Sequence, residues 1–390
     1  MTTPKPPNTP LDLKKYGKTV MSLRYWHGMT LAAWLRAMKG HWHRVPFSRY
    51  PLVAVITLFS IGNQFLAWTS ELLYGRKLAQ VKIEPDPIFV IGHWRSGTTW
   101  LHHMLMLDAR HAAPEVHACF RPETFLVARG FATKIMGWLL PPTRPMDDVP
   151  LLPENAEEDE HGISLSGAPS NYRSKMFPSV KMDVPYSPED MNAADAALWR
   201  EKWLAFLKRV QFINPGKRLV LKSPTHTVRT GEILRHFPNA KFVHIVRDPY
   251  KIFLSARKSA IAMHTVSTLQ DHLPPQSDRD NGNKHRFVRF HARFEKDREN
   301  IPEDQLVMIK YEDLRADPVK VIGEVYQGLG LGQFEDVAPE IARHNSGAKP
   351  YQNNQYELDE AMREQVEAAC GSYFETYGYL PMAERPVANP

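Results

Sequence analysis

The chain has 390 residues, of which 43% are hydrophobic and 24% charged, and its formal net charge is +6. The positive charge favours anionic partners, but the charges are scattered and no nucleic-acid-binding motif occurs, so we expect no nucleic-acid partner. Cys119 and Cys370 fit neither a metal-ligand spacing nor a disulfide framework, which excludes a disulfide scaffold and indicates a reducing compartment. No apolar signal segment is visible in the first ten residues, and we expect a cytoplasmic protein.

Residues 1–85 are predicted to form a helical N-terminal region. Within it, residues 51–68 (PLVAVITLFSIGNQFLAW) are mostly apolar and follow basic and aromatic residues. A membrane-spanning helix needs about 20 apolar residues, so this segment is at the lower limit. Three interpretations stay open: a buried helix, a helix on a membrane surface and a true span. The second would place the protein at the inner face of a membrane.

A buried strand is predicted at residues 86–92 (DPIFVIG), followed by a loop and an apolar helix that Thr98 or Thr99 would cap. The loop GHWRSGTT approaches the nucleotide-binding pattern G-x-x-x-x-G-K-[ST], but Thr98 occupies the lysine position. Backbone N–H groups of such a loop, together with the helix N-terminus, bind anions. A phosphosulfate anhydride would need less cationic help than a triphosphate. The predicted anion-binding residues are Arg95, Ser96, Gly97, Thr98 and Thr99.

Residues 125–214 are predicted to be an irregular insertion that covers the acceptor site as a lid. The insertion contains a proline-rich stretch, the acidic run EEDEHG at residues 157–162 and a helix around residues 193–210. Its apolar parts, including residues 135–140, indicate a hydrophobic or lipid-like acceptor.

Strand and helix patterns then alternate regularly from residue 217 onward. This alternation implies a parallel sheet with right-handed crossovers, and the predicted fold class is a P-loop-like, three-layer α/β/α core over residues 86–345. Residues 272–285 (HLPPQSDRDNGNKH) are predicted to be a mobile loop. Residues 346–390 are predicted to be a helical C-terminal extension.

The second motif is VRDPYKIFLSARKSA, in which Arg247 ends a predicted strand. Asp248 and Pro249 suit the N-cap and first position of the next helix. Ser255 lies eight residues after Arg247, about two helical turns along. A guanidinium and a hydroxyl so arranged can hold a phosphate from two sides.

Together the two motifs resemble the sulfotransferase superfamily that uses 3′-phosphoadenosine 5′-phosphosulfate (PAPS), over residues 87–331. The resemblance implies that WRSGTTWL binds the 5′-phosphosulfate and that Arg247 and Ser255 bind the 3′-phosphate. It also implies that Tyr311 lies beside the adenosine and Trp100 against the adenine. Arg95 replaces the lysine of the cytosolic members, which makes the loop more similar to the tyrosylprotein branch and to bacterial sulfotransferases.

The resemblance implies sulfuryl transfer from PAPS to an acceptor hydroxyl, with release of adenosine 3′,5′-bisphosphate (PAP) and without a metal ion. A small-molecule or lipid-like acceptor and a peripheral membrane contact are expected. Two alternatives remain: a nucleotide-kinase-like phosphotransferase, which the missing loop lysine disfavours, and a catalytically silent, membrane-associated binding protein.

Catalysis requires positive charge on the sulfuryl oxygens and a base for the acceptor hydroxyl. For the charge we predict Arg95 and Lys222; Lys222 should stand at the carboxyl end of a strand, where open α/β sheets bind ligands. For the base, the resemblance favours Glu123. The competing candidates lie in the acidic run: Glu157, Glu158, Asp159, Glu160 and His161. Of the two loop-helix histidines, His102 and His103, we expect one to be packed in the core.

Overall fold

The computed structural model describes residues 8–16, 19, 21–127, 129–130, 143–144, 150–180, 184–347 and 360–384. The strands are β1 (Thr9–Pro10), β2 (Ile88–Ile91), β3 (His111–Ala112), β4 (Arg218–Lys222), β5 (Lys241–Val246), β6 (His272–Leu273) and β7 (Leu306–Lys310). The α-helices are α1 (Leu31–Met38), α2 (Tyr50–Ala79), α3 (Thr98–Leu105), α4 (Val116–Cys119), α5 (Asp159–Leu165), α6 (Ala193–Ile213), α7 (Thr230–His236), α8 (Pro249–Ser267), α9 (Gln276–Arg298), α10 (Tyr311–Ala316), α11 (Pro318–Leu329), α12 (Ala338–Gly347) and α13 (Glu360–Tyr377).

The centre of the molecule is a five-stranded sheet in the order β3-β4-β2-β5-β7. Every pairing within it is parallel. Strand β2 lies in the middle, so the loop that follows it opens between the ends of β4 and β5. This is the position where open α/β sheets bind their ligands.

Successive residues of β2 face opposite sides of the sheet, and each side is covered by helices. Phe89 and Ile91 pack in a core with the α6 residues Trp199 and Trp203. Ile88 and Val90 pack in a second core with residues of α3 and α11. Because a parallel sheet buries both faces, its strands are apolar on both sides. The predicted three-layer α/β/α fold class is therefore confirmed.

The N-terminal region is joined to the rest of the chain by a third core. The fully buried side chains of Trp26 and Trp34 pack there with Leu165 and Phe177 of the insertion. The Trp26 indole N–H donates to the carbonyl of Ser267 at 2.7 Å, which ties this region to α8.

Helix α2 is longer than the predicted segment of residues 51–68 and continues through Gly75. The span Phe47–Ala79 is long and apolar enough to cross a membrane by length and composition alone, and 22% of its most apolar window is buried. Length and composition are weak evidence for a span. The low burial nevertheless distinguishes α2 from an interior helix.

Part of the predicted insertion of residues 125–214 forms regular structure. The predicted helix around residues 193–210 corresponds to α6, which ends at Ile213, and the acidic run enters α5. Residues 128, 131–142, 145–149 and 181–183 are not among the described residues, so the apolar segment of residues 135–140 lies outside them.

The predicted mobile loop of residues 272–285 is wrong. His272 and Leu273 form β6, which pairs antiparallel with β1, and α9 begins at Gln276. The first residues of α9 are polar, so the local sequence pattern does not indicate a helix there. The buried aromatic residues of α9 lie further along the helix, at Phe287, Phe290 and Phe294. Tertiary packing of that aromatic stripe stabilises a helix that the local composition does not favour.

Candidate active site

The loop between β2 and α3 has the backbone shape that its glycines predict. Gly92 and Gly97 adopt φ angles of +146° and +103°, and Arg95 itself has a φ of +71°. The Gly92 N–H donates to Thr227 Oγ1 at 2.8 Å, which fixes the start of the loop. Helix α3 begins at Thr98, so Gly97 rather than a threonine occupies the N-cap position. The loop and the N-terminus of α3 together have the backbone geometry expected of an anion-binding site.

The structure brings the two sequence motifs together. Arg95 Nε donates to Ser255 Oγ at 2.8 Å, and Arg247 Nη1 donates to the carbonyl of Arg95 at 3.0 Å. The N-cap and first position of α8 are Asp248 and Pro249, as predicted. Arg247 Nε is buried and has no hydrogen-bond partner within the described part of the chain. Such a guanidinium N–H is suited to an anionic ligand.

The predicted adenosine residues lie beside this cluster. The Arg247 guanidinium lies 4.2 Å from the centre of the Tyr311 ring, and the rings of Tyr311 and Trp100 meet edge to face with centres 6.0 Å apart. A Cβ atom at Gly97 would come within 2.3 Å of Tyr311 Cδ2. The close approach of the loop to this ring therefore requires glycine.

Lys222 ends strand β4, as predicted, and is in register with Val90 of β2. Its side chain is 1% exposed, and Nζ donates to Glu158 Oε1 at 2.9 Å. The ammonium thus lies at the carboxyl edge of the sheet, next to the strand from which the anion-binding loop emerges.

Glu158 is the centre of a buried hydrogen-bond network. Its second carboxylate oxygen accepts a hydrogen bond from Tyr172 Oη, and its backbone N–H donates to Glu157 Oε1 at 2.8 Å. Burial raises the pKa of Glu158, but the nearby Lys222 charge outweighs burial and the net pKa of Glu158 is lowered to about 2. Glu158 is therefore a carboxylate at neutral pH, able to accept a proton.

The other members of the acidic run divide into two groups. Asp159 and Glu160 are fully buried; Asp159 accepts from Ser223 and His226, and Glu160 is paired with Arg229. These two carboxylates support the structure and do not line the cavity described below. Glu157 and His161 do line it, with 3.7 Å between Glu157 Oε1 and His161 Nδ1. The run is a buried polar network, because nearly every charge in it has a partner.

The structure does not bring Glu123 together with Lys222 or the loop. The Glu123 carboxylate accepts from Thr30 Oγ1 at 2.7 Å and from Lys202 Nζ at 3.0 Å. Glu123 is not among the residues that line the cavity. In this position the carboxylate ties the N-terminal region to α6.

Of the two histidines on α3, His102 is packed in the core. It is 1% exposed, and its Nε2 lies 3.0 Å from the carbonyl of Val220. Burial and the nearby Lys222 charge lower its pKa to about 3. His102 is thus neutral at physiological pH and holds α3 against β4.

A cavity of about 910 Å³ adjoins these groups. The residues that line it include polar ones of the loop and the acidic run, namely Arg95, Thr98, Thr99, Glu157, Glu158 and His161. They also include apolar or aromatic ones of the N-terminal region and α8, namely Leu23, Tyr25, Phe59, Leu66, Ala256 and Met263. The volume and mixed lining are those of a site for a ligand of considerable apolar area with a few fixed polar contacts.

Several polar residues of this cavity belong to no motif recognised in the sequence. Tyr172 contacts Glu158, and the Lys175 ammonium lies 3.6 Å from the centre of the Tyr172 ring. Burial lowers the pKa of Lys175 to about 8 against the opposing effect of Glu158. The Arg286 guanidinium lies 5.1 Å from the Trp94 ring centre. The stretch NYRSK carries no spacing pattern that marks Tyr172 and Lys175, because these two residues reach the cavity through the fold of the insertion, whereas Arg286 reaches it from α9.

Within the residues that the structure describes, no group of three or more His, Cys, Asp or Glu side chains is placed to hold a metal ion. Transfer without a metal stays a prediction.

A parallel α/β core with a P-loop-like loop at the carboxyl end of its central strand and an adjoining cavity is the architecture of a group-transfer enzyme that binds an anionic donor. Residues 87–336 match the Sulfotransferase family. The chain belongs to this family, and it is a sulfotransferase. The family predicted from the two motifs is confirmed, and the phosphotransferase and silent-binder alternatives are set aside.

The chain is similar to known sulfotransferases over most of its length. It is 32% identical over 356 residues to the omega-hydroxy-beta-dihydromenaquinone-9 sulfotransferase Stf3 of Mycobacterium tuberculosis and of Mycobacterium bovis, covering 91% of each chain. Among solved structures, it matches sulfotransferase STF1 of Mycobacterium tuberculosis with a TM-score of 0.58 and 19% identity, covering 87% of this chain and 91% of that one. STF9 of Mycobacterium avium matches with a TM-score of 0.57 and 14% identity, covering 89% and 96%. These two structures share the fold.

Proposed function

We propose that this protein transfers the sulfuryl group of PAPS to a hydroxyl group on a long, apolar acceptor. The proposal depends mainly on one observation: the proposed anion-binding loop and the largely apolar cavity share the residues Arg95, Thr98 and Thr99. An anionic donor held by the loop would present its reactive end to a molecule in the cavity.

The donor half of the proposal rests on the cluster of Arg95, Arg247, Ser255 and Tyr311. The loop N–H groups and Arg95 suit the 5′-phosphosulfate, and Arg247 with Ser255 suits the 3′-phosphate. Tyr311 and Trp100 offer aromatic surface to the adenosine. Charge-assisted hydrogen bonds of this kind are among the strongest that a protein makes to a phosphate.

The acceptor half rests on the apolar side chains that α2 and α8 contribute to the cavity. Phe59, Leu66 and Met263 would contact the hydrocarbon of the acceptor. The polar lining residues, among them Glu158, would orient its hydroxyl group. The name of the 32% identical relative gives a hydroxylated menaquinone derivative as its acceptor. We therefore propose a lipid-like molecule that carries a hydroxyl group at the end of an apolar chain.

For the chemical step we assign the role of base to Glu158 and that of charge stabilisation to Lys222 and Arg95. The Glu158 carboxylate takes the acceptor proton as the acceptor oxygen forms a bond to sulfur. The bond between sulfur and the bridging oxygen breaks, and PAP leaves with the electron pair. Lys222 would shift from Glu158 toward the sulfuryl oxygens, which raises the proton affinity of Glu158 at the moment when a base is needed.

Isothermal titration with PAP and a transfer assay with radiolabelled PAPS test both halves. A long-chain primary alcohol should be sulfated far more efficiently than a short-chain alcohol with the same hydroxyl group. Glu158→Gln should lower kcat on the order of 10²-fold or more and leave PAP affinity unchanged, whereas the matched variant Glu123→Gln should retain kcat. Loss of transfer in Glu123→Gln with full activity in Glu158→Gln would overturn the assignment of the base. If PAP does not bind, the proposal that PAPS is the donor is wrong.

A further inference from the structure

The outward side of α2 is an exposed apolar surface. We define the α2 outer face by its exposed large apolar side chains, namely Leu58, Ile61, Phe65, Trp68, Leu72 and Leu73. Leu72 is 87% exposed and Leu58 is 68% exposed. A contiguous apolar stripe of this length is unusual on a soluble monomer and marks a contact surface.

Exposed cations lie at both ends of this helix. Lys39 and Arg44 are exposed shortly before α2, and Arg76 and Lys77 are exposed in its last turn. Glu71 is the single acidic residue within α2. Apolar side chains flanked by basic ones suit the interface of a bilayer that contains anionic headgroups.

The inner side of α2 is held against the body of the protein. Leu52, Val53 and Ile56 are buried in the N-terminal core, and Trp34 Nε1 donates to Thr57 Oγ1 at 3.0 Å. Asn63 Nδ2 donates to the carbonyl of His27 at 2.7 Å. A helix fixed in this way offers one face to its surroundings, which is the arrangement of an interfacial helix and differs from that of a spanning helix.

The same helix borders the acceptor cavity. Phe59, Gly62 and Leu66 line the cavity, and each is adjacent in sequence to a residue of the α2 outer face. Phe59 is 47% exposed and thus lies where the cavity meets the outside. An apolar molecule at the outer face would have a continuous apolar path along α2 into the cavity.

We propose that the α2 outer face lies in the surface of an anionic lipid bilayer and that the acceptor passes from the bilayer along α2 into the cavity. The second part rests on the proposed function, because it assumes a lipid-like acceptor. The first part does not, since it depends on the exposed apolar side chains and their flanking cations alone.

Co-sedimentation of the full chain with vesicles tests the first part without donor or acceptor. The wild type should bind vesicles of equal parts phosphatidylglycerol and phosphatidylcholine, bind pure phosphatidylcholine more weakly, and dissociate as salt is raised. The outer-face variant Leu58→Gln/Phe65→Gln/Leu72→Gln should lose at least about tenfold in binding. The charge variant Lys39→Gln/Arg44→Gln/Arg76→Gln/Lys77→Gln should lose its preference for anionic vesicles.

The matched control Val288→Gln/Met308→Gln/Leu380→Gln removes three exposed apolar side chains elsewhere and should bind as the wild type does. Thermal unfolding of every variant checks that the fold is kept. The proposal is wrong if the wild type stays in solution with every vesicle, or if the outer-face variant binds as tightly as the control. The proposal is equally wrong if the wild type is a dimer, the outer-face variant is a monomer, and neither protein binds vesicles. The α2 outer face would then be the contact between two copies of the chain.

Transfer assays test the second part. The outer-face variant should sulfate a detergent-dispersed acceptor at the wild-type rate and an acceptor embedded in anionic vesicles at least about tenfold more slowly, because binding is lost. Equal rates on the embedded acceptor would overturn the entry path and leave the sulfotransferase proposal standing. Absence of transfer to either acceptor form in the wild type, with vesicle binding intact, would instead overturn the acceptor class.

Discussion

Replacing Glu158 with glutamine removes the carboxylate that accepts the hydrogen bond from Lys222 Nζ at 2.9 Å. The Lys222 side chain is 1% exposed, so the substitution leaves a buried ammonium without its nearest counter-charge. Glu158→Gln should therefore destabilise the fold in addition to removing the proposed base. The stability effect can be tested by adding Lys222→Met, which removes the buried charge that Glu158→Gln leaves behind.

The size of the stability effect follows from the burial of the pair. The charge of Lys222 lowers the pKa of Glu158 from 4.5 to about 2 against the opposing effect of burial, so the pair stabilises the folded state at neutral pH. Breaking a buried ion pair by removing one partner costs about 3–5 kcal/mol. We expect Glu158→Gln to lose about 3 kcal/mol of unfolding free energy. The double variant Glu158→Gln/Lys222→Met should regain most of this loss and remain inactive.

Urea unfolding of the wild type, both single variants and the double variant measures the coupling between the two residues. The folded pKa of Glu158 lies below its unfolded value, so its contribution is complete above about pH 4.5 and is lost as the pH falls toward 2. The stability difference between wild type and Glu158→Gln should shrink over that range. Equal unfolding free energies of the wild type and Glu158→Gln at pH 7 would refute this reasoning.

Two further predictions concern the donor site, and a third concerns the cavity. Arg247→Ala should weaken PAP binding about 10- to 100-fold in isothermal titration, because a charge-assisted phosphate contact contributes on the order of 1.5–3 kcal/mol. The control is Arg343→Ala, which removes an exposed arginine. Unchanged PAP affinity in Arg247→Ala would contradict the assignment of Arg247 to the 3′-phosphate. Gly97→Ala should abolish PAP binding, because its Cβ would meet the Tyr311 ring, whereas Gly282→Ala, with open space around its Cβ, should bind PAP normally. Lys175 lines the cavity and its pKa is lowered to about 8, so a contribution of its positive charge to kcat/KM should be lost above about pH 8; Lys175→Arg should move that fall to higher pH, and identical profiles would exclude a role of the Lys175 charge in transfer.

The core of the fold and the backbone geometry of the candidate donor site are predictable from the sequence, because both are encoded in short segments. The apolar run before Gly92 specifies a buried strand, and the glycine spacing specifies a loop of positive φ angles before a helix. Arg247, Asp248 and Pro249 likewise specify a strand end and a helix start. The parallel alternation then brings such strand ends to one edge of a sheet, so the residues of both motifs are identifiable from the sequence.

The catalytic surroundings and the outward face of α2 were decided by tertiary structure. Glu158 pairs with Lys222, which is 64 residues away in the sequence, and Glu123 pairs with Lys202, which is 79 residues away. As carboxylates, Glu158 and Glu123 were equally suitable candidates for the base. The apolar composition of α2 is compatible with burial, yet packing covers one side of the helix and leaves Leu72 exposed. Local sequence fixes backbone conformation and periodicity, whereas the partner of a charge and the side of a helix that is covered depend on the packing of segments remote in the chain.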